Sequence, residues 1–360
     1  MWSIRRAHDT STFLRVVLAS CLVVATVGLS WFRSEPAGAR ALPDDLSSVP
    51  AVGSLVTVQQ LSDGSFEYLV NGSPQLFIGM GYNPIYRDLT DSQRAANYDR
   101  DFRLLCEAGV NTITGWDTDK GYEQDKFDEV TLDLLSKYDL GVIMPFYLPQ
   151  DGDYTDPALQ QSLIDAAALK VERFKNHPAI RMWGVGNEML DKIHSPDMQV
   201  AFAQFFVQLA DLFHEWDPNH PVIYRNAEDL YLPVIQDVVT STGQDRPWLL
   251  YGVNAYTPRL SSILDSWPSN GFNRPVFVTE FGVQSGWLGS RGQGYVAMWR
   301  MIRAHPDYVL GGAPYAWTTR GPEPTDSIWG LMGRSTPVDD TFELLSAEWQ
   351  KEYSTPPVCD

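Results

Sequence analysis

The sequence predicts an α/β fold, a (β/α)8 TIM barrel with a short N-terminal β-hairpin. Short apolar segments alternate with longer segments of helical periodicity, which is typical of a parallel sheet covered by helices. Two apolar segments, Ile180–Gly186 and Val276–Thr279, run into the glutamates Glu188 and Glu280, as buried strands do at a functional rim. Because these glutamates are far apart in the chain, a fold that gathers its strand ends at one face is needed to bring them together.

Residues 1–41 have the pattern of an export signal. Three arginines precede an uncharged run over Val16–Phe32, and small residues up to Ala41 provide cleavage sites. The run is at the lower limit for spanning a bilayer, so an uncleaved anchor remains an alternative to the cleavage that we favour. Weaker alternatives are a lipoprotein box ending at Cys21 and a twin-arginine signal. We expect an exported protein, either secreted or held at the outer face of the membrane.

Residues 42–53 form a linker rich in Pro, Ser and Asp, and the barrel is expected over residues 54–360. Val56–Gln59 and Phe66–Val70 alternate as strands about a Ser-Asp-Gly-Ser turn, and this hairpin is expected to close the barrel floor. The eight barrel strands are then predicted at Leu76–Gly81, Thr112–Trp116, Val142–Tyr147, Ile180–Gly186, Val222–Arg225, Leu249–Asn254, Val276–Thr279 and Gly311–Trp317.

The helices expected between the strands carry local signals of their own. The third begins with the cap pair Asp156-Pro157 and places its apolar residues on one face. Similar Asn-His-Pro patterns lead into the fourth and fifth strands, which places His177 and His220 at the N-terminal face, where barrel residues serve stability. The predicted helices are Asp91–Ala108, Lys126–Tyr138, Asp156–Asn176, Pro196–Trp216, Leu230–Thr240, Leu260–Trp267, Gly294–Ala304 and Asp340–Tyr353.

Length, charge and cysteine content limit the function classes. The chain has 360 residues, 44% of them hydrophobic, and one β/α barrel uses about 250 residues. The formal net charge of −18 argues against nucleic acid or an anionic membrane surface as partner, because both are bound by clustered Lys and Arg. Neutral and cationic ligands remain open, and we expect a monomer. A disulfide between Cys106 and Cys359 would suit export, but two unpaired thiols are favoured.

Four motifs follow one another in a recognisable order. They are Gly184-Val185-Gly186-Asn187-Glu188, Asn254-Ala255-Tyr256, Val278-Thr279-Glu280-Phe281-Gly282, and Trp317 with Trp329-Gly330-Leu331. As a set they resemble the barrel of the clan A retaining glycoside hydrolases, with the nearest similarity to families 2, 5 and 72. Each motif alone would mean little, since a lone Asn-Glu at a strand end is more often a cap or an ion-pair partner.

The resemblance implies a retaining glycoside hydrolase that acts on a β-linked glycan without a cofactor. Glu188, at the end of the fourth strand, would be the acid/base, and Glu280, at the end of the seventh, the nucleophile. Asn187 would bind the sugar 2-hydroxyl, Tyr256 would donate to the nucleophile, and Trp317 would form the floor under the sugar ring. The alternatives are a transglycosylase that remodels wall polysaccharide and a catalytically silent carbohydrate-binding barrel.

Further residues fall near predicted C-terminal strand ends, where exposed aromatic rings would form sugar subsites by stacking. Each of them has core packing as its alternative role. They are Tyr82, Asn83, Trp116, Phe146, Trp287 and Trp329.

One departure from the clan A pattern concerns the second strand, where an arginine is common and this chain has Thr114-Gly115-Trp116. A guanidinium there would keep the nucleophile ionised, so Arg225 or Arg320 would have to replace it. Other chemistries lack their motifs: the sequence has no His-Glu-x-x-His, Gly-rich phosphate loop or Gly-x-Ser-x-Gly elbow. We expect no metal site, since the acidic loop 151–156 reads better as a turn and helix cap than as a calcium loop.

Overall fold

The computed structural model describes residues 53–83, 86, 89–116, 127–270, 273–284, 286 and 288–359. The predicted export signal, the predicted linker up to residue 52 and Trp287 lie outside the described residues. Among the described residues, no helix combines the length and the apolar character that a membrane crossing requires.

A small antiparallel sheet precedes the barrel. It consists of β1 (Val56–Gln60), β2 (Phe66–Val70) and β3 (Ser73–Gln75), in that spatial order. The predicted hairpin is confirmed, and the third strand was missed because its three residues are too short to show alternation. Tyr68 packs edge-on against Phe277 of the barrel interior, with ring centroids 5.7 Å apart. The sheet thus covers the end of the barrel opposite the glutamates.

Eight parallel strands close into a barrel among the described residues, which confirms the predicted fold. Neighbours along the chain pair with one another, and the last strand closes on the first through Gly311 and Phe77. The strands are β4 (Phe77–Gly81), β5 (Thr112–Thr114), β6 (Gly141–Phe146), β7 (Ile180–Val185), β8 (Val222–Ala227), β9 (Leu249–Ala255), β10 (Val276–Phe281) and β11 (Val309–Pro314).

The end of β11 differs from the prediction. The strand stops at Pro314 rather than at Trp317, because proline has no N–H to continue the ladder. The chain beyond it stays tied to the barrel, since Tyr315 N donates to Phe281 O at 2.8 Å and Trp317 N donates to Gly81 O at 2.6 Å. Residues 315–317 therefore lie at the C-terminal rim as an irregular segment.

The eight predicted helices are present, with end shifts of a few residues. Two short helices, Met189–Lys192 and Asp326–Trp329, were not expected, because a single turn is too short to show helical periodicity. The helices are α1 (Asp91–Ala108), α2 (Glu129–Lys137), α3 (Pro157–Phe174), α4 (Met189–Lys192), α5 (Pro196–Trp216), α6 (Leu232–Ser241), α7 (Leu260–Ser266), α8 (Arg291–Arg303), α9 (Asp326–Trp329) and α10 (Thr341–Trp349).

The cap residues explain where the long helices begin. Asp156 caps α3 as predicted, accepting a hydrogen bond from Ala158 N at 2.9 Å. Helix α8 begins three residues before its predicted start, because Ser290 and Gln293 form a capping box there. The local polar pattern therefore outweighs the apolar periodicity at that end.

The histidines of the Asn-His-Pro patterns serve the N-terminal face, as expected. His220 is buried and contacts Asp217 Oδ2 at 2.7 Å through Nδ1 and Ser54 Oγ at 2.9 Å through Nε2. His177 contacts Asp133 Oδ1 at 3.1 Å. These contacts join the segments that enter the strands and leave both histidines away from the glutamates.

A disulfide joins Cys106 at the end of α1 to Cys359 after α10. The expectation of two unpaired thiols is therefore wrong. Helices α1 and α10 pack against each other where the barrel closes, so the two cysteines come within bonding reach, with Cα atoms 5.9 Å apart. A crosslink between residues so distant in sequence stabilises a domain by about 2–4 kcal/mol.

Candidate active site

A cavity of about 830 Å³ opens at the C-terminal rim of the barrel and contains both predicted catalytic glutamates. Its lining comes from the ends of β4 to β11 and the loops that follow them, as in barrels whose sites are built from their βα-loops. Among the described residues that line it are Asn83, Trp116, Phe146, Asp151, Asn187, Glu188, Lys192, Arg225, Tyr256, Glu280, Tyr315, Glu323 and Trp329.

Glu280 lies near the end of β10 and is only 5% exposed. Each of its carboxylate oxygens accepts a hydrogen bond from an aromatic side chain. Trp116 Nε1 donates to Oε1 at 2.8 Å, and Tyr256 OH donates to Oε2 at 2.5 Å. Two donors on opposite oxygens fix the carboxylate plane and stabilise its ionised form.

Burial and a neighbouring negative charge oppose the effect of these two donors on the pKa of Glu280. Burial, followed by the negative charge of Glu188, raises the pKa of Glu280 to about 8, although Tyr256, Arg225 and Trp116 each lower it. The pKa of Tyr256 also lies well above its ordinary value, because its hydroxyl is buried beside Glu280.

The raised pKa predicts that Glu280 destabilises the fold at alkaline pH. Below the ordinary pKa of 4.5, Glu280 is neutral in the folded and unfolded chains and costs nothing. Between 4.5 and about 8 the folded chain binds more protons, so the free energy of unfolding falls as pH rises. The loss is on the order of a few kcal/mol, since one pKa unit is about 1.4 kcal/mol.

Glu280→Gln removes this titration while keeping the side-chain shape, so we expect it to raise the melting temperature. The melting temperatures of the variant and the wild type should coincide near pH 4.5, and that of the variant should be several degrees higher at pH 8 to 9. Glu343→Gln, an exposed glutamate on α10, serves as the matched control. A difference between Glu280→Gln and wild type that does not change with pH would contradict the prediction.

Arg225 on β8 supplies the positive charge that β5 lacks. The side chain is 1% exposed and its guanidinium donates to Gly115 O at 2.6 Å and to Gly186 O at 3.3 Å. It approaches β7 closely because position 184 is a glycine, whose missing Cβ would lie 3.3 Å from the guanidinium carbon. Arg320, the other candidate, lines a second cavity beside α1 instead.

Glu188 follows β7 at the first turn of α4, with a left-handed backbone conformation of φ 52°. Its backbone N donates to Arg225 O at 3.0 Å, which fixes the turn to β8. A non-glycine residue in this region is uncommon and is often found at functional sites. The turn directs the half-buried Glu188 side chain into the cavity.

Asn254 on β9 connects the two glutamates. Its Nδ2 donates to Glu188 Oε1 and to Asn187 Oδ1, each at 3.1 Å, and its Oδ1 accepts from Thr279 Oγ1 at 2.8 Å. Asn254 is also the cross-strand partner of Glu280. One side chain thus spans the distance from the strand position beside Glu280 to the carboxylate of Glu188.

Aromatic rings form one wall of the cavity. Trp116 meets Tyr315 edge-on with centroids 5.2 Å apart, and the ring of Tyr256 lies 4.9 Å from that of Trp329. Trp116 and Trp329 thus lie where the sequence placed candidate subsites, whereas Tyr315 was missed. The signal for Tyr315 was present, since the apolar run Gly311–Pro314 ends directly on it.

Asp326 accepts hydrogen bonds from several residues of the cavity wall. It is fully buried at the start of α9, where its Oδ1 accepts from Tyr315 OH at 2.7 Å. Its Oδ2 accepts from Asn83 Nδ2 at 3.2 Å and from Glu323 N at 2.8 Å. The predicted subsite residue Asn83 therefore lies in the cavity wall, anchored to the loop after β11.

Two of the predicted site residues that the structure describes, Trp317 and Tyr82, do not line this cavity. Trp317 is 2% exposed and packs on Tyr82, with centroids 6.5 Å apart, so neither ring faces the glutamates. Tyr82 OH instead donates to the buried Asp101 at 2.9 Å. Because β11 ends at Pro314, Tyr315 occupies the rim position that the prediction gave to Trp317. Trp287, another predicted site residue, lies outside the described residues.

The acidic loop after β6 contains turn and cap contacts. Asp153 accepts from Thr155 N at 2.9 Å, and Asp156 caps α3.

Phe146 at the end of β6 lines the cavity and also packs edge-on against Phe213. In the described ranges, no three His, Cys, Asp or Glu residues are grouped as metal ligands would be.

The comparisons with known proteins agree with the fold. The family model described as the glycosyl hydrolases family 2 TIM barrel domain matches residues 136–311. The solved β-glucuronidase of Bacteroides uniformis superposes with a TM-score of 0.62 at 18% identity, covering 83% of this chain and 38% of that one. The β-glucuronidase of Dictyoglomus thermophilum superposes with a TM-score of 0.59 at 17% identity, covering 85% of this chain and 55% of that one.

Two curated proteins are similar in sequence over shorter lengths. Pig β-glucuronidase is 23% identical over 287 residues, which is 73% of this chain and 41% of that protein. Aeromonas hydrophila β-galactosidase is 27% identical over 200 residues, 52% of this chain and 17% of that protein. The chain therefore spans less than half the length of these two relatives. The expected resemblance to a clan A glycoside hydrolase barrel, with similarity to family 2, is confirmed.

Proposed function

We propose that this chain is a retaining β-glycosidase in which Glu280 is the nucleophile and Glu188 the acid/base. The observation that carries the proposal is the placement of two glutamates in one cavity with different surroundings. Glu280 is buried and accepts hydrogen bonds from Trp116 and Tyr256, whereas Glu188 is half-buried and accepts one from the Asn254 amide. Different surroundings for two carboxyl groups are what double displacement requires.

The first step forms a covalent intermediate. An ionised Glu280 oxygen attacks the anomeric carbon, the bond from that carbon to the leaving oxygen breaks, and the proton of Glu188 passes to the leaving oxygen. The mechanism therefore requires an ionised Glu280 and a protonated Glu188 when the substrate reacts. Trp116 supports an ionised Glu280, because its Nε1–H can only donate and Glu280 Oε1 must therefore accept.

The second step releases the sugar with its original configuration. Glu188, now ionised, removes a proton from a water molecule, and the water oxygen attacks the anomeric carbon as the bond to Glu280 breaks. Asn254 keeps its donor on Glu188 through both steps, since Thr279 fixes the orientation of its amide. The enzyme then returns to its starting protonation state.

Asn187 is proposed to bind the sugar 2-hydroxyl. Its Oδ1 accepts from Asn254 Nδ2 at 3.1 Å, which leaves its NH₂ group oriented as a donor toward the cavity. A hydrogen bond to the 2-hydroxyl strengthens as positive charge develops on the ring. Trp116, Tyr315 and Trp329 are proposed to form the stacking surfaces.

Export is also part of the proposal. The signal pattern of residues 1–41 is supported by the Cys106–Cys359 disulfide, because disulfides persist mainly in oxidising compartments. A glycan outside the cytoplasm would be the accessible substrate.

Trapping the intermediate tests the proposal. A 2-deoxy-2-fluoro β-glycoside with a good leaving group should inactivate the protein with one label per chain, and peptide mapping should find the label on Glu280. The probe sugar is first chosen from the aryl glycoside that the protein cleaves fastest. Labelling at another carboxylate would move the nucleophile elsewhere, and an active protein without label would contradict double displacement.

A further inference from the structure

The charge of the cavity wall bears on which sugar it accepts. We infer that the substrate is a glycoside that carries no negative charge, and this inference rests on the proposed function. Among the described lining residues, Asp151, Glu188, Glu280 and Glu323 are acidic, whereas Lys192 and Arg225 are basic. Even with one proton on the catalytic pair, the wall carries a negative balance.

Both basic residues already bind groups of the protein. Lys192 Nζ forms a partly exposed ion pair with Asp191 Oδ2 at 2.6 Å, so its charge already has a carboxylate partner. Arg225 is 1% exposed, donates to two backbone carbonyls and lowers the pKa of Glu280. Its charge therefore serves the nucleophile. A uronide carboxylate would compete with Glu280 for it.

The acidic residues that are not proposed as catalytic lie on two different loops. Asp151 follows β6, and Glu323 lies in the loop between β11 and α9. The backbone of Glu323 is held by the buried carboxylate of Asp326, at 2.8 Å from its N, so the loop position of Glu323 is fixed by a core contact. Negative charge therefore faces the cavity from both loops.

Among the described lining residues, a carboxylate entering such a cavity finds no cationic side chain that does not already bind a group of the protein, so its lost hydration is not offset. Burying an unpaired charge is costly, and placing it near like charges adds to the cost. Several similar proteins are named β-glucuronidases. We expect this chain to differ from them by not preferring a glucuronide.

The test compares 4-nitrophenyl β-glycosides that share one leaving group: glucoside, galactoside, mannoside and glucosaminide against glucuronide. We expect kcat/KM for the best uncharged or cationic sugar to exceed that for the glucuronide by roughly 100-fold or more. Glu323→Gln and Asp151→Asn should each narrow this ratio by roughly 3- to 10-fold, since each removes one negative charge. Asp307→Asn, an exposed carboxylate just before β11, changes the net charge equally and should leave the ratio unchanged.

A binding measurement keeps the inference separate from the proposed function. Calorimetry of the methyl β-glycosides with Glu280→Gln should show weaker binding of the glucuronide than of the uncharged sugars. A glucuronide that is bound or hydrolysed as well as the uncharged sugars would overturn the inference and leave the glycosidase proposal intact. So would a ratio that neither Glu323→Gln nor Asp151→Asn changes. Selective binding of uncharged sugars without cleavage of any glycoside would support the inference and overturn the proposed function.

Discussion

Replacing Glu280 with alanine is expected to lower kcat by roughly 10⁴- to 10⁶-fold, the size of effect that follows loss of a nucleophile. No other described carboxylate lies between the Trp116 and Tyr256 donors, so no neighbour can replace the attacking group. The measurement is the hydrolysis rate of the best aryl β-glycoside, with Glu343→Ala on α10 as control. Activity within tenfold of wild type would remove Glu280 from the mechanism.

Azide distinguishes a lost nucleophile from a damaged fold. The Glu280→Ala variant leaves a space beneath the anomeric carbon, and a small anion can enter it and attack directly. One displacement inverts the configuration, so the product should be the α-glycosyl azide, identified by its anomeric proton coupling in NMR. Rescue that yields the β-glycosyl azide would contradict the assignment of Glu280.

The strand pattern and the glutamates could be predicted because they depend on local sequence. A strand that is buried on both faces is a continuous apolar run, and in this barrel Glu188 follows shortly after one such strand, β7, while Glu280 lies in the last two residues of another, β10. The rim was harder to predict because it depends on where each strand stops. Pro314 ends β11 early, and this moves Tyr315 into the cavity and Trp317 into the core.

The contacts that support the site could not be predicted from spacing. Arg225, on the fifth barrel strand, lowers the pKa of Glu280, and Gly184 on the neighbouring strand leaves space for its guanidinium. Periodicity within one strand does not encode such a match between two strands. Asp326 appears in the sequence as one acid in a polar loop, yet it is fully buried behind Tyr315 and Asn83. The Cys106–Cys359 pair likewise depends on how α1 and α10 pack.

Replacing Glu188 with alanine should have an effect that depends on the leaving group. Glycosides with poor leaving groups need protonation of the departing oxygen, so their kcat/KM should fall by roughly 10²- to 10⁴-fold. A 2,4-dinitrophenyl glycoside needs little protonation, so its first step should be nearly unchanged. Its steady-state rate should still fall, because water attacks the intermediate without a general base, and a burst of dinitrophenol should appear.

Azide separates the role of Glu188 from that of Glu280 by stereochemistry. In Glu188→Ala the covalent intermediate on Glu280 still forms, and azide attacks it from the face that Glu188 leaves open. Two displacements retain configuration, so the product should be the β-glycosyl azide, opposite to that from Glu280→Ala. An equal fall in kcat/KM for good and poor leaving groups would contradict the assignment, because removal of an acid must act through the departing oxygen.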